Sequence, residues 1–400
     1  MTREIYSMLV FSYLWWNAPL AVAQPPLVEK YLHSGQLARG EQVLEAALAE
    51  DAGNGQLRFG LAVLQLVRGV ERLGQLLHEY ACLPDNDALF IRIPVPHNPD
   101  PSEITYPAFR RMLEGFRSDL ATVESTLAGI KADEVSLPLR LADIRLDLTG
   151  KGEASERFIE ILNKLLGPNF RLQADNPEFL VCFDRGDVAW LRAYCHLLMG
   201  TIDLNLAFDT ESEFDLRADQ RFAKPKYRFA GTPGERREKW GATEQLKVTE
   251  PARLGHFRRH MLKVCELNRE TWSFIRAERD NDHEWLPNPK QTGVLRMPVT
   301  DRMIDAWLSM VTEVEGLFDG RKAVPALLME LLSPTTNKRM NLKRFLDDPP
   351  DEIDIARIRR DGIREKYVDA TLPYVNIATF VRVFGLFQRP MMVGYAVWFN

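Results

Sequence analysis

Cysteine is scarce, with four among 400 residues, and none stands at a CxxC or other metal-ligand spacing. That leaves no sign of a disulfide framework or a thiolate metal site. Long apolar runs are missing too. The strongest, Met8–Trp16, has nine residues, too few to cross a bilayer, so no transmembrane span is expected. There is no GxSxG, Walker loop, Rossmann fingerprint or catalytic Cys/His signature, and no motif asks for a cofactor. Positive charge is not in excess either. A formal charge of −5 and a pI near 5.9 give no reason to expect nucleic acid as a partner.

What is present is ordinary for a folded soluble chain: 46% hydrophobic and 27% charged residues, in a length that suits two or three domains. The apolar run is followed by Asn17, Pro19 and Ala21-Val22-Ala23, the order of a secretory signal peptide cut before Gln24. Residues 1–23 are therefore read as a signal, leaving 377 residues for the periplasm or the exterior. The alternative is an uncleaved first helix of a cytoplasmic protein. Cys82, Cys182, Cys195 and Cys265 are expected as buried free thiols, Cys195 and Cys265 on apolar helix faces.

Residues 27–53 lie over 61–87 in a register of 34, with Leu27/Leu61, Leu32/Leu66, Gly35/Gly69, Gly40/Gly74, Glu45/Glu79, Ala47/Ala81 and Asp51/Asp85 in coincidence. Segment 24–87 thereby resembles the tetratricopeptide family, whose repeat is a pair of antiparallel helices touching at small residues. The resemblance implies helical hairpins presenting a groove to a peptide or protein partner. Beyond it, prolines 84, 94, 96, 99 and 101 imply an extended connection with a short strand at Phe90–Val95.

The body, 88–332, reads as helical. Apolar spacing predicts helices over Tyr106–Lys131, over Asp301–Leu317 and over Val324–Leu332, and a helix pair over Leu137–Leu165 with a turn at Gly150–Gly152. That turn imitates a calcium loop beginning at Asp147, but Lys151 and Phe158 stand where ligands are required, so an ordinary turn is expected. The best-patterned helix runs from Asp187, as N-cap, to Phe208. Arg192, His196 and Asp203 share one polar stripe on it, and Gly200 leaves room there for a close neighbour or a ligand. Base, imidazole and carboxylate together are either a structural network or the catalytic group of a hydrolase or other enzyme.

Between Arg217 and Lys263, thirteen Lys or Arg face five Asp or Glu, a surplus of +8 that leaves −13 to the remainder. Phe222, Tyr227, Phe229, Trp240 and Phe257 interleave these cations, and glycine and proline suggest a long basic loop over 217–252. Lys224, Lys226, Arg228, Arg236, Arg237 and Trp240 are its candidate binding residues for an anionic glycan or lipid headgroup. Its alternative is a loop clamped on the chain's own acidic surface. His256 and His260, four apart on a helix over Arg253–Leu267, have a metal-ligand spacing, but Arg258 and Arg259 between them repel a divalent ion. The segment 333–400 ends in an apolar, aromatic-rich tail expected to dock on the core. The whole reads as a mainly α chain, tetratricopeptide-like hairpins on a larger helical body. The leading functional expectation is an exported interaction protein rather than an enzyme.

Overall fold

The computed structural model describes residues 24–84, 93–131, 135–166, 175–241, 245–332, 338–387 and 398–399. The chain is mainly helical, 59% helix, with few and short strands. The expected signal segment, 1–23, lies outside the described residues, as do residues 90–92 of the strand expected at Phe90–Val95, and the remaining residues, 93–95, form no strand.

At the amino end, α1 (Leu27–Ser34) and α2 (Leu37–Glu50) form a hairpin, and α3 (Gly55–Glu79) follows as one long helix. Gly35 ends α1 in the left-handed region, φ 67°, as a helix-stopping glycine does. Its counterpart in the 34-residue register, Gly69, sits inside α3 against Asp119. The second stretch is therefore a continuous helix, without the turn that a second hairpin requires. The small residues still serve close approach: a methyl on Gly40 would stand 2.5 Å from Leu64 Cδ1.

α4 (Tyr106–Ala128) begins at Thr105, whose side chain accepts from the Ala108 N–H, and buries Phe109, Met112, Leu113, Phe116, Leu120, Val123 and Leu127. Where a helix pair was expected, residues 137–166 begin as strands. β1 (Leu137–Arg140) alternates buried and half-buried residues, a 3-10 turn follows at Leu141–Asp143, and α5 (Phe158–Leu166) is the only helix there. The Leu-Pro-Leu alternation fits a two-residue period, and Pro138 removes a donor that a helix interior needs. β1 pairs antiparallel with β4 (Leu180–Phe183), Leu137 opposite Phe183. β2 (Arg145–Leu146) pairs with β3 (Glu156–Arg157) across the glycine turn. In that turn Asp147 accepts from the N–H groups of Thr149, Gly150 and Gly152, so its carboxylate is satisfied by the backbone.

α6 (Arg185–Leu206) and α9 (Pro251–Ala277) make the longest helix–helix interface, and α4 packs beside α6. α6 starts earlier than its sequence suggests. Asp184 is the N-cap, and Asp187 is the residue whose carboxylate reaches back to close the capping box. The segment expected as a long basic loop is largely ordered: α7 (Glu211–Arg221), α8 (Pro233–Gly241) and β5 (Gln245–Lys247), which pairs with β6 (Glu352–Asp354).

The carboxy-terminal part comprises α10 (Asp301–Phe318), α11 (Ala326–Leu332), α12 (Leu342–Asp347), α13 (Ile355–Asp361) and α14 (Ile377–Leu386). The tail docks. Phe399 is fully enclosed by Trp272, Trp307 and Phe387, with ring centroids 4.5, 5.6 and 4.9 Å away. Buried Asn268 donates to the Phe399 carbonyl at 2.8 Å, and Trp190 donates to that of Trp398 at 2.8 Å. All four cysteines are free, with Cys195 and Cys265 buried.

Candidate functional site

Three helices each turn one polar stripe toward a common cleft. α4 supplies Arg117 and Glu124, seven residues apart. α6 supplies Arg192, His196 and Asp203, and α9 supplies Arg253, His256, Arg259, His260 and Lys263. The spacings of three, four and seven are those that keep side chains on one helix face. Gly200 is what lets α6 and α9 close here: a methyl at that position would lie 3.1 Å from His260 Cβ and 3.0 Å from Met261 Cε. The close neighbour that this glycine admits is thus the facing helix. The resulting cleft has a volume of about 540 Å³.

Asp203 lies beneath the cleft, fully buried, and is not part of its lining. Arg117 grips it with two hydrogen bonds of 2.7 and 2.8 Å, and Arg253 donates a third at 2.9 Å. His260 Nε2 is 3.5 Å away and His256 Nδ1 4.0 Å. Burial alone would raise this carboxyl's pKa. The donors from His260, Arg117 and Arg253 outweigh it and hold the group well below the usual carboxylate range.

The two central imidazoles meet directly, His196 Nδ1 to His260 Nδ1, at 2.8 Å. A contact of that length between two ring nitrogens needs one proton between them. At the outer ends, His196 Nε2 is buried 3.4 Å from Glu124 Oε1, and His260 Nε2 faces Asp203. Glu124 also accepts from Arg192 at 2.9 and 3.1 Å. Its contact with His196 is the largest influence on it and, with Arg192 and against the effect of burial, brings its pKa down to about 2. Carboxylate, imidazole, imidazole and carboxylate therefore stand in a row, with both acids ionised.

His256 differs from this pair. It is the more exposed imidazole, at 40% against 14% and 15% for His196 and His260. Burial of the ring, helped by Arg259, Arg117 and His260 and opposed by Asp203, pushes its pKa below the ordinary histidine value. Neutral at physiological pH, it stands at the cleft wall as a proton acceptor. Arg117, Arg192, Arg259 and Lys263 line the walls against the single carboxylate of Glu124. Lys263 reaches Glu266 at 2.7 Å, while exposed Arg259 has no hydrogen bond or ion pair among the described residues.

The structure thus joins two groups of residues that the sequence kept apart, Arg192–His196–Asp203 and His256–His260. As a metal pair the latter is poorly placed, since His256 and His260 point to an Asp203 already held by two guanidinium groups. Sequence reading missed Arg117, Glu124, Arg253, Arg259 and Lys263. Their signal, polar residues at helical spacing, becomes meaningful only once the helices are paired.

The residues proposed in the basic segment lie elsewhere. Lys224 donates to the Pro101 carbonyl at 3.0 Å, the exposed Lys226 donates its backbone N–H to Ile104, and Arg228 bonds the Ala223 carbonyl. Arg236 grips Asp219 at 2.6 and 2.9 Å and stacks on Phe229. Arg237 is exposed on α8. Trp240 belongs to the same helix, and its side chain is outside the described set. Compared with known proteins, the chain matches no family model, no curated protein and no solved structure.

Proposed function

We propose that the cleft between α4, α6 and α9 binds a small molecule through a phosphate-class oxyanion and that His256 exchanges a proton with it. The observation that carries this reading is the composition of the walls: four cations and three imidazoles against one carboxylate, around a volume of about 540 Å³. Guanidinium groups suit tetrahedral oxyanions, and Arg259 has its donors uncommitted. A neutral imidazole beside a bound phosphate or sulfate ester is the usual arrangement for general acid–base chemistry. This favours an enzyme whose reacting groups stand on α9, across the cleft from the polar stripe of α6.

Titration with inorganic phosphate at constant ionic strength, followed by calorimetry, tests the binding. Arg259→Ala should weaken it about tenfold or more, the cost of a charge-assisted hydrogen bond. His256→Ala should leave phosphate binding in place and abolish turnover of a phosphate or sulfate ester. A wild-type titration indistinguishable from chloride would sink the reading.

A second reading, an exported interaction protein with a peptide or protein partner, draws support from exposed apolar side chains on two other helices. Leu327 and Leu328 on α11 are 58% and 47% exposed, and Val381 and Phe384 on α14 are 60% and 40% exposed. Such residues commonly mark docking sites when they are contiguous. Leu328→Lys with Val381→Lys should abolish specific capture of a partner from envelope extract. Capture equal to wild type would remove this reading.

A further inference from the structure

At the opposite end of the α6–α9 seam, four carboxylates converge where α6 begins and α9 ends. Asp184 caps α6, its Oδ1 accepting from Gly186 and Asp187 at 2.7 and 3.3 Å. Asp187 returns its Oδ2 to the Asp184 N–H at 3.1 Å. Glu278 terminates α9 and takes a long contact of 3.4 Å from Gln291 on Oε2, and Glu284 uses Oε1 to accept from the Asp282 N–H at 2.9 Å. Each of the four therefore keeps one oxygen to which no N–H or hydroxyl among the described residues donates, and the carboxyls of Glu278 and Asp184 meet one another. Oxygens of Asp184, Glu278 and Glu284 all lie within 4.8 Å of one another, so a single ion can touch all three.

Acidic clusters alone are common. A second observation separates this one. Asp187 is 97% enclosed, its carboxyl feels the charges of Asp184, Glu278 and Glu284, and its Oδ1 has no hydrogen-bond partner among the described residues. Glu278 Oε1 is likewise buried and receives no N–H or hydroxyl donor, with only the carboxyl of Asp184 beside it. A buried polar atom left unsatisfied is costly, and a buried unpaired charge more so. Arg185, which adjoins it in the chain, does not relieve it, because its guanidinium goes to Glu270 at 2.9 Å and to the face of Phe274. Gly186 makes the gathering possible: a methyl there would press to 3.2 Å on both Asp184 Oδ1 and Glu278 Oε1.

We propose that this cluster binds one hard divalent cation of the calcium class, with Asp184, Glu278 and Glu284 as ligands and buried Asp187 as the fourth negative charge behind them. The donor set is all oxygen and anionic, which suits a hard ion and not a thiophilic one. Oxygens on opposite sides of calcium stand about 4.6 to 5.2 Å apart, twice the usual bond length, in keeping with the observed spread. The calcium-like turn at Asp147, by contrast, has its carboxylate filled by backbone donors and is no rival.

The test uses the full chain, freed of metal with a chelator. Calcium chloride should raise its melting temperature, and potassium chloride at equal ionic strength should not. Terbium, a luminescent stand-in for calcium, should emit on tryptophan excitation, because Trp285 adjoins Glu284 and Trp190 lies one turn beyond Asp187. Calcium should displace it. Glu278→Gln and Asp187→Asn should each weaken calcium at least tenfold, while the metal-free variants melt at or above metal-free wild type, since each replaces a crowded buried carboxyl by a neutral amide. Asp282→Asn, in the adjoining Cys182–Asp282–His283 group, should bind calcium as wild type does. No calcium response beyond that of potassium would overturn the proposal. Wild-type affinity in Glu278→Gln, or loss confined to Asp282→Asn, would do the same.

Discussion

Replacing Asp203 by Asn probes the electrostatic centre of the cleft. The amide is nearly isosteric, so packing is kept and only charge and one acceptor are lost. Arg117 loses the partner of a two-bonded grip and Arg253 a third bond, both to a fully buried oxygen pair. Removing one member of a buried ion pair generally costs about 3–5 kcal/mol, because the remaining charge is left without compensation. Here the arginines are 25% and 18% exposed, and Arg253 retains Glu250 and Glu114, so water and these acids recover part of the loss. About 3 kcal/mol is the expected result. With an unfolding entropy of about 2.1 cal/mol/K per residue, a chain this long should melt about 4 °C lower. Urea denaturation and calorimetry should agree, and Asp209→Asn, on an exposed carboxylate six residues on, should lie within about 0.5 kcal/mol of wild type. Adding Arg117→Met to Asp203→Asn should restore part of the stability, because it removes the cation left without its acid. A single Asp203→Asn variant as stable as the Asp209→Asn control would refute the assignment of Asp203 as the charge that holds α4, α6 and α9 together.

Acid should act through the same acids. Glu124 titrates lower in the folded chain than in the unfolded one, so its contribution is present above about pH 4.5 and is lost as the pH falls toward about 2. Its share, reduced for partial exposure, is about 2–3 kcal/mol, and Glu124→Gln should remove that part of the acid slope in urea melts. Phe399→Ala should cost about 3–5 kcal/mol, since it vacates a site enclosed by Trp272, Trp307 and Phe387, and tryptophan emission should shift to the red. Two glycines should respond with opposite sign in thermal melts. Gly115→Ala, at an exposed position of α4, meets nothing within 4 Å and should stabilise by about 0.5–1 kcal/mol, whereas Gly40→Ala, driven into Leu64 and Tyr31, should destabilise by about 1–3 kcal/mol.

Sequence patterns were legible wherever one element's periodicity sufficed. The apolar spacing of α4, α6 and α10 matches their buried faces, and the aromatic tail docks as its composition demands. Reading failed where a short segment satisfied two patterns. Leu137-Pro138-Leu139 suits a strand as well as a helix start, and only pairing with Leu180–Phe183 decides it. The 34-residue register failed for a related reason, because Gly69 can occupy a helix interior when Asp119 of α4 packs against it. The cleft was half legible. Spacing put Arg192, His196 and Asp203 on one face and His256 and His260 on another, but antiparallel packing of α6 on α9 was needed to bring His196 within 2.8 Å of His260. The acidic cluster was invisible, since Asp184 and Asp187 stand far along the chain from Glu278 and Glu284.

The division of charge noticed in the sequence therefore takes a more local form. One helix pair holds a cation-rich cleft near its Asp203 end and a carboxylate cluster at its Asp187 end. Nine residues of α6 separate Asp187 from His196, about 14 Å at 1.5 Å per residue. A divalent ion acting on a monoanion across that distance at an effective dielectric of about 20 contributes about 2.4 kcal/mol, and screening over a Debye length of about 8 Å reduces this to about 0.4 kcal/mol. Calcium should then change the affinity of the cleft for phosphate by no more than about twofold, which competitive calorimetry can resolve. A larger change could not be electrostatic. It would require that loading the cluster shift α6 against α9, and the contact at Gly200, where a fraction of an ångström separates fit from clash, is where such a shift would be felt.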